Sequence, residues 1–394
     1  MGNKLVITKE DFGIVSSVFD GNNMIQVHVE KEEKATLLGN IYIGKVKNIV
    51  KNINAAFVEI ADGTMCYLPL GEVIAPVFTD SRKDSNIRIG DELIVQVTKE
   101  DIKTKAPVIT TNFNFTGKYT VLAHGKASVG ISSKIEDEAE RKRLKKLVSG
   151  YVGEHYGFIL RTNANHAPDE CIEAEIKLLK EMYDSLLQYG VKRTCYSQVY
   201  KTQPAFICAI RDGFAQELDA IITDDPVLYE EMKDYLSNYQ KEDLEKLSLY
   251  QDPTLSLGKL YGVEAKLENA LKEKVWLKSG GSLIIQPTEA LTVIDVNTGK
   301  AVNGKKKVQE TFLKVNLEAA EEIAKQIRLR NLSGIIIVDF ISMDDKAAQK
   351  KVMQLLAELF KKDPIKTTLI DMTALNLVEI TRKKVRKPLH EQIK

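Results

Sequence analysis

Two apolar runs that each end in an aspartate constrain the fold of this chain more than any other feature. The run "LTVIDVN" reaches Asp295 and Asn297, and the run "GIIIVDF" reaches Asp339. Between them, residues 308–331 carry apolar side chains at helical spacing. A strand, a helix and a strand of this length form a parallel unit with a right-handed connection. We therefore expect Asp295 and Asp339 to lie near each other at the carboxyl ends of neighbouring strands, where open α/β sheets bind ligands.

The same pattern continues beyond the second aspartate. Residues 345–362 predict a helix, "KTTLID" predicts a strand that ends in Asp371, and "LNLVEITRKKV" predicts a closing helix. This region is thus predicted to be an open α/β sheet, and Asp371 is a further candidate for its carboxyl edge.

Two carboxylates that are brought together repel each other unless a proton or a cation lies between them, and hard oxygen ligands suit magnesium. A magnesium ion at Asp295 and Asp339 would polarise a phosphodiester and lower the pKa of an attacking water. Asn297 shares a face with Asp295 because side chains alternate along a strand, and it can orient that carboxylate. A single aspartate at a strand end is more often a helix cap or a turn residue, but two matched cases joined by one crossover weaken that interpretation.

The loop that follows Asn297 supports a different hypothesis. Gly299, four further residues, Gly304 and Lys305 match the first seven positions of the phosphate-binding loop G-x-x-x-x-G-K-[ST]. The eighth position is Lys306, which has no hydroxyl for magnesium, so a nucleotide triphosphatase remains only an alternative. The lysines would serve equally well against an RNA backbone.

The N-terminal third consists of short strand-like segments. Residues 1–36, with "KLVIT" and "NMIQVHVE" around Gly21, predict a short hairpin that is too small to bury a core alone. From Gly39 to about Phe115, short alternating strands separated by Asn, Gly and Asp turns predict a small barrel.

Aromatic and basic residues in the predicted barrel suggest a platform for single-stranded nucleic acid. Phe57 and Tyr67 lie on successive predicted strands, and bases can stack on such rings while ammonium groups meet phosphates. The lysines close to them in the pattern are Lys45, Lys47, Lys103 and Lys105. The alternative is that Phe57 packs inside the barrel.

The segment after the barrel contains one further candidate site. "IEDEAERKRLKKLVSG" predicts an amphipathic helix, and "GFILRTNANHA" is an apolar strand that ends in Arg161 and Thr162. A guanidinium beside a hydroxyl can grip a phosphate, although a plain surface salt bridge is the more common role of such a residue pair. Residues 211–275 are predicted to be mainly helical.

Length and composition bound these hypotheses. A chain of 394 residues is expected to form two to four domains or subdomains, and its net charge of +1 means that nucleic-acid binding must rest on local patches. The four cysteines are scattered without a C-x-x-C pair, so we expect no zinc site. Neither a leader sequence nor an apolar run long enough to span a bilayer is recognisable, which favours a cytoplasmic protein.

Several of these segments together resemble a known family. "LTVIDVNTGK", "NLEAAEEIAKQIRLRNLSGIIIVDFISM" and "LVEITRKKVR" are similar to the catalytic region of the ribonuclease E and ribonuclease G family. "GNIYIGKVKNIVKNINAAFVEI" with "YLPL" resembles its OB barrel of the ribosomal S-one type, and "GFILRTNA" resembles its sensor for the RNA 5′ end. The resemblance implies a magnesium-dependent endoribonuclease that cuts single-stranded, A/U-rich RNA to 5′-phosphate and 3′-hydroxyl ends in RNA processing and decay.

The resemblance also implies roles for individual residues. Asp295 and Asp339 match the catalytic metal-binding aspartates, and Asn297 matches the asparagine that supports them. The RNA-binding positions of the barrel match Phe57, Tyr67 and Lys105, and the residues that match the 5′-monophosphate pocket or are expected to line it are Gly117, Val121, Arg161 and Thr162.

The implied architecture is an α/β protein with several subdomains. Residues 1–36 and 209–271 would form an RNase H-like core, into which an OB-fold domain (37–116) and a 5′-sensor subdomain (117–208) are inserted. Residues 272–394 would form a DNase I-like catalytic subdomain.

The chain departs from the family pattern after "LVEITRKKVR". Longer members continue with a C-P-x-C zinc-binding link between two chains, whereas this sequence continues with "KPLHEQIK". We therefore expect no zinc, and any homo-oligomer would use another surface. Asn376 stands where the family often has glycine. An RNA-binding protein that has lost catalysis is the main alternative function, and retention of both aspartates and the asparagine argues against it.

Overall fold

The computed structural model describes residues 2–31, 36–80, 84–100, 106–212, 218–299 and 308–393. The chain divides into two compact units. The discontinuous unit joins Met1–Glu33 to Gln216–Lys394, and the inserted unit is the intervening Lys34–Ala215. The chain therefore begins the discontinuous unit, leaves it to build the inserted unit, and then returns.

The N-terminal segment forms an antiparallel meander of β1 (Asn3–Glu10), β2 (Gly13–Asp20) and β3 (Asn23–Glu30). The predicted hairpin was wrong in one respect, because "GIVSSVFD" is itself a strand that pairs with both neighbours. The turn before β2 requires glycine: Gly13 has φ +136°, and a β-carbon there would lie 2.3 Å from the carbonyl oxygen of Glu30.

The first part of the inserted unit is a closed barrel. Its strands are β4 (Ile41–Val50), β5 (Ala55–Glu59), β6 (Met65–Pro69), β7 (Glu92–Lys99) and β8 (Val108–Thr110). They pair in the order β4-β5-β6-β8-β7, and β7 returns to β4. The β6–β8 pairing is parallel and the others are antiparallel, as in an OB fold. Alternate side chains fill the interior, among them Val46, Val58, Leu68 and Val95.

The second part of the inserted unit is a small sheet covered by helices. Its elements are β9 (Asn114–Thr116), β10 (Thr120–His124), β11 (Val129–Ile131), α1 (Glu138–Ser149), β12 (Tyr156–Leu160), α2 (Asp169–Tyr189), β13 (Gln198–Tyr200) and α3 (Ala205–Asp212). The sheet order is β11-β12-β10-β9, whereas β13 pairs with β4 of the barrel. α1 and α2 bury their apolar faces against the sheet through residues such as Leu144, Ile172 and Ile176.

When the chain returns to the discontinuous unit, it extends the N-terminal meander. The elements are β14 (Leu218–Thr223), α4 (Pro226–Tyr239), β15 (Leu247–Leu249), α5 (Leu257–Tyr261) and α6 (Val263–Leu271). β14 lies parallel to β1, and β15 lies parallel to β14, which gives the order β15-β14-β1-β2-β3.

The remaining elements form a mixed sheet with helices on one face. They are β16 (Lys274–Trp276), β17 (Ser282–Pro287), β18 (Leu291–Asn297), α7 (Val308–Leu329), β19 (Gly334–Asp339), α8 (Lys346–Lys361), β20 (Thr367–Met372), β21 (Leu377–Arg382) and α9 (Leu389–Ile393). The order is β16-β17-β18-β19-β21-β20. β18 and β19 are parallel, as predicted from their crossover. α7 and α8 cover the face that Ile294, Val296, Ile336 and Val338 present.

The predicted helix over "LNLVEITRKKV" was wrong, because this segment contains strand β21. Val378, Ile380 and Arg382 alternate into the interior with a period of two, which a helix cannot satisfy. Arg382 forms a buried ion pair with Asp363, in which Nε lies 2.8 Å from Oδ2. Asn376 has φ +63° in the turn before the strand, a conformation that asparagine tolerates and glycine favours.

In the parts of the chain that the structure describes, each helix is too short or too polar to cross a lipid bilayer.

Candidate active site and RNA-binding surfaces

Asp295 and Asp339 are direct neighbours across the parallel strands β18 and β19. On β18, Thr292, Ile294 and Val296 are buried under the helices, so the alternate residues Asp295 and Asn297 face the opposite side. On β19, burial of Ile336 and Val338 directs Asp339 to the same side. Adjacent strands are about 4.8 Å apart, so the two carboxylates lie next to each other.

Asn297 supports one of the two carboxylates directly. Its Nδ2 donates a hydrogen bond of 2.7 Å to Oδ2 of Asp295. Asp339 and Asn297 are exposed and Asp295 is half-buried, so the group is open to a solute on this face of the sheet.

A buried asparagine, which the sequence analysis missed, holds the chain just after Asp339. Asn316 on α7 is fully buried, its Nδ2 donates to the carbonyl of Ile341 (2.8 Å), and its Oδ1 accepts from the Ile341 N–H (3.1 Å). The signal was an asparagine on the apolar side of a predicted helix, where an unpaired amide would be costly. Its bonds connect α7 to the segment that follows the second aspartate.

The residues of this face fit a magnesium ion. Within the described residues, no group of three or more His, Cys, Asp or Glu side chains forms a metal site, so the protein would offer a cation the paired carboxylates of Asp295 and Asp339. Magnesium is commonly held by one or two carboxylates and completes its shell with water and substrate phosphate. A cation would also relieve the repulsion between the adjacent negative charges.

Of the two other sequence candidates, Asp371 does not join this pair, and most of the phosphate-binding loop lies outside the described residues. Asp371 is exposed on β20, and β21 lies between that strand and Asp339. The proposed phosphate-binding loop, from Gly299 to Lys305, continues into residues 300–307, which lie outside the described residues. Gly299 itself has φ +57° and packs against Gly280, whose carbonyl oxygen would lie 2.3 Å from an added β-carbon.

On the barrel, Phe57 and Tyr67 form a cross-strand pair on β5 and β6. Their ring centroids are 6.1 Å apart with an interplanar angle of 75°, an edge-to-face contact. Both side chains are half-buried, whereas their neighbours Val58 and Leu68 fill the interior. The alternative that Phe57 packs inside the barrel is therefore wrong, and the two rings present an aromatic outer surface.

The lysines near this surface are engaged with acidic residues. Lys45 lies 3.2 Å from Glu92, and Lys47 lies 2.6 Å from Glu59. The hydrogen bond that Lys47 donates to Glu59 raises the pKa of Lys47 to about 12, so this ammonium stays charged. Lys103 and the predicted RNA-binding Lys105 lie outside the described residues.

Arg161 lies at the end of β12, as predicted, and its guanidinium has defined partners. Nη1 donates to the carbonyl oxygen of Gly117 (2.6 Å), and Nη2 donates to Oδ1 of Asp212 (2.8 Å). Asp212 also accepts from Nε of Arg211 at 3.0 Å. The sequence analysis missed Asp212, because its distance of 51 residues from Arg161 hides the contact.

The other residues that were predicted to recognise the RNA 5′ end lie on or next to β10 and β12. The Thr162 hydroxyl lies 3.2 Å from that of Ser132, and half-buried Val121 on β10 pairs with Ile159 on β12. Gly117 passes so close to the buried Glu175 that an added β-carbon would lie 2.3 Å from its carboxyl carbon.

The carboxylate of Glu175 organises the turn after Gly117. It accepts backbone N–H bonds from Lys118 (2.6 Å), Tyr119 (2.9 Å) and Thr120 (2.6 Å). Burial raises the pKa of this carboxyl, and the hydrogen bonds oppose that shift. Only glycine allows the turn to approach the carboxylate this closely.

The chain contains an OB-type barrel with an aromatic outer surface and an α/β sheet with paired carboxylates. These two features define a class of protein that combines a nucleic-acid-binding module with an acidic candidate active site. The model of the S1 RNA binding domain matches residues 38–112, which contain the barrel strands. The model of the Ribonuclease E/G family matches residues 114–385. The chain belongs to the ribonuclease E/G family, which confirms the resemblance in its sequence.

Individual relatives agree with this assignment over most of the chain. Ribonuclease G of Escherichia coli K12 is 35% identical over 382 residues, which cover 94% of this chain and 77% of that protein. Ribonuclease G of Haemophilus influenzae is 34% identical over 374 residues, covering 92% and 76%. Ribonuclease E of a Synechocystis strain is 33% identical over 360 residues, covering 90% of this chain and 53% of that protein.

Proposed function

We propose that this protein is a magnesium-dependent endoribonuclease that cleaves single-stranded, A/U-rich RNA to 5′-phosphate and 3′-hydroxyl ends in RNA processing and decay. The endoribonuclease class follows from membership of the ribonuclease E/G family. The observation that carries the catalytic assignment is the register between β18 and β19, which pairs Asp295 with Asp339.

Asp295 and Asp339 would hold the magnesium ion, and Asn297 would position Asp295. When bound, the ion supplies charge stabilisation at the phosphodiester and makes a bound water more acidic. The carboxylates themselves bring a concentrated negative charge to an exposed sheet face, and the 2.7 Å bond from Asn297 fixes the orientation of one of them.

The barrel would bind the RNA on the side presented by Phe57 and Tyr67, with Lys105 contributing charge. Half-buried rings that contact each other are held at a fixed angle, so bases stack on them at low entropic cost. The backbone phosphates would meet lysines at the edge of this surface.

The second part of the inserted unit would recognise a 5′-monophosphate. Arg161 and Thr162 would grip the phosphate, and Gly117 and Val121 would line the pocket. Support for this role comes from the hydrogen bond that Arg161 donates to the Gly117 carbonyl, which orients the guanidinium, while its ion pair with Asp212 is the contact that a phosphate would share or displace.

The subdomain assignment is part of the proposal. Residues 1–36 and 209–271 would form the RNase H-like subdomain, 37–116 the OB-fold domain, 117–208 the 5′ sensor, and 272–394 the DNase I-like catalytic subdomain. The chain's departure from one sheet and later return to it support an inserted arrangement.

The test is cleavage of a short A/U-rich RNA with a 5′-monophosphate, with and without magnesium. We expect the unsubstituted protein to cut only with magnesium, and Asp295→Asn and Asp339→Asn to lose activity by at least about 100-fold. Asp371→Asn is the matched control, because Asp371 is an exposed carboxylate on the same sheet but is separated from Asp339 by β21.

Other outcomes identify the alternatives. If every variant and the unsubstituted protein bind the RNA without cutting it, the protein is an RNA-binding protein. Nucleotide hydrolysis in the absence of RNA would indicate a triphosphatase that uses the loop from Gly299 to Lys305.

A further inference from the structure

Trp276 is an exposed aromatic residue that neither packs in a hydrophobic core nor belongs to the proposed catalytic pair. It is the only tryptophan of the chain. It lies at the end of edge strand β16, and 67% of its surface is exposed. The ammonium of Lys274 lies 4.0 Å from the centre of the indole, a cation–π contact. An exposed aromatic ring beside an ammonium combines the two features with which proteins bind single-stranded nucleic acid.

The strand register puts Trp276 on the same sheet face as the catalytic carboxylates. Trp276 pairs with Ser282, and Ser282 pairs with Asn297. Residues directly opposite each other on neighbouring strands point to the same face. Val275 and Leu277, on either side of the indole in sequence, pack into the core under the helices. The indole therefore stands about 10 Å from Asn297, two strand spacings across the sheet.

Lys274 occupies the adjacent row on this face. It pairs with Ile284, which pairs with Asp295, which in turn pairs with Asp339. The face thus presents an indole and an ammonium on one side of the two carboxylates. The ammonium of Lys274 lies two strands away from Asp295. A polyanion that runs across the sheet could therefore contact this positive charge while it lies beside the carboxylates.

The turn after Trp276 is fixed against the candidate active site. A β-carbon at Gly281 would lie 2.7 Å from the carbonyl oxygen of Asn297, so the turn and the end of β18 are in close contact. The carboxylate of Glu318 on α7 accepts N–H bonds from Lys278 (2.5 Å) and Ser279 (3.2 Å). These contacts fix the backbone that follows Trp276 against the end of β18.

We propose that Trp276 stacks on a nucleobase of single-stranded RNA next to the scissile phosphate, and that Lys274 contacts a neighbouring backbone phosphate. This inference rests on the proposed ribonuclease function and adds a base-binding position on the catalytic face, separate from the Phe57 and Tyr67 surface of the barrel. Every base has a π-face, so the position binds any base and serves to align the strand with the carboxylates.

The single tryptophan makes a direct test available, because all indole emission comes from this position. The full chain carrying Asp339→Asn, which keeps the RNA intact, is titrated with a short A/U-rich single-stranded RNA. We expect saturable quenching of indole emission, with the same midpoint as binding measured by anisotropy of the labelled RNA. Quenching by added protein alone would indicate a contact between copies and would overturn the inference.

Cleavage kinetics supply a second measurement. Trp276→Ala is expected to raise KM about tenfold while kcat changes less than about twofold, since stacking on one base is worth a factor of this size. Trp276→Phe keeps a stacking ring and should restore most of the loss. Lys274→Gln should reduce the slope of log K against log salt by about 0.7, the value for one phosphate contact on a single strand.

The outcomes separate this inference from the proposed function. If RNA binds and is cut while indole emission and the KM of Trp276→Ala remain unchanged, the inference alone fails. If RNA neither binds nor is cut by the unsubstituted protein, the proposed function and the inference fail together.

Discussion

The amide of Asn297 donates a 2.7 Å hydrogen bond to Oδ2 of Asp295, and Asp295 is in register with Asp339 on the neighbouring strand. One carboxylate of the pair is thus oriented by a side chain from its own strand. The amide leaves the other oxygen of Asp295 for a cation, and it opposes rotation of the carboxylate out of the shared face.

We expect Asn297→Ala to lower kcat by about 10- to 100-fold and to raise the magnesium concentration needed for half-maximal activity, because loss of an orienting partner weakens a metal site by about this factor. A magnesium titration of RNA cleavage measures both effects. The matched control is Asn238→Ala, which removes an exposed asparagine that bonds the Asp234 carbonyl on α4. An unchanged magnesium dependence in Asn297→Ala would contradict the orienting role.

Removal of either ring of the Phe57 and Tyr67 pair should weaken RNA binding. We expect Phe57→Ala and Tyr67→Ala each to cost about 1–3 kcal/mol of binding free energy, because each removes a stacking surface. The double variant should cost less than the sum, since the rings contact each other. Anisotropy of a labelled single-stranded RNA measures the affinities. Tyr239→Ala, which removes a partly exposed tyrosine of α4, should leave binding unchanged.

If Arg161 binds a 5′-phosphate as proposed, we expect Asp212 to compete with that phosphate for the guanidinium. Because Asp212 accepts a 2.8 Å bond from Nη2 of Arg161, a phosphate must share or displace that carboxylate. We expect Asp212→Asn to raise the ratio of cleavage rates for 5′-monophosphate over 5′-hydroxyl RNA by about 1.5- to 5-fold, the range for a partly exposed ion pair. Arg161→Ala should reduce the ratio to about one.

The control for that measurement is Asp184→Asn, since Asp184 pairs with Lys180 on the exposed surface of α2. In this variant the ratio of cleavage rates for 5′-monophosphate over 5′-hydroxyl RNA should equal that of the unsubstituted protein. A lower ratio in Asp212→Asn would instead mean that Asp212 positions Arg161 for the phosphate.

The stability of the inserted unit should depend on pH through Glu140. This buried carboxylate accepts bonds from Nε (2.8 Å) and Nη2 (2.7 Å) of Arg143 and from the N–H of His166 (2.8 Å). The hydrogen bonds from Arg143 lower the pKa of Glu140 from 4.5 to about 2. A depressed folded-state pKa contributes stability above pH 4.5, and that contribution is lost as the pH falls from 4.5 towards 2.

We therefore expect Glu140→Gln to destabilise the unit by about 2 kcal/mol at pH 7, the value of charged hydrogen bonds that are lost. The difference between the two proteins should shrink below pH 4.5. Urea unfolding followed by circular dichroism at pH 7 and pH 3 measures this change. A difference that stays constant between the two pH values would contradict the assignment.

Periodicity and connection length were enough to predict the strands that carry Asp295 and Asp339, together with their crossover helix. They were not enough for β21, because "LVEITR" has apolar residues that fit a short helix as well as a strand, and only pairing with β19 decides between them. The pattern also could not reveal the Arg161–Asp212 contact, since ion pairs between distant residues leave no periodic signal.

The exposure of Trp276 illustrates the same limit. The residues on either side of the indole in "KVWL", Val275 and Leu277, are both apolar, so no alternation marks its face, and only the register of β16 and β17 shows that the indole faces the side of the carboxylates. The sequence therefore supplied candidate site residues, whereas the tertiary pairing determined which of those candidates lie together.

The path of the chain through the discontinuous unit sets an order for folding on the ribosome. The N–H of Val29 on β3 bonds the side chain of Gln392 on α9, a partner 363 residues away. At a synthesis rate of about 5–20 residues per second, Gln392 is synthesised roughly 20 to 70 s after β3. The inserted unit, whose contacts lie within Lys34–Ala215, can close during that interval. We therefore expect the nascent chain to complete its candidate RNA-binding barrel before the sheet with the paired carboxylates, and cleavage activity to begin only after synthesis reaches the last strands.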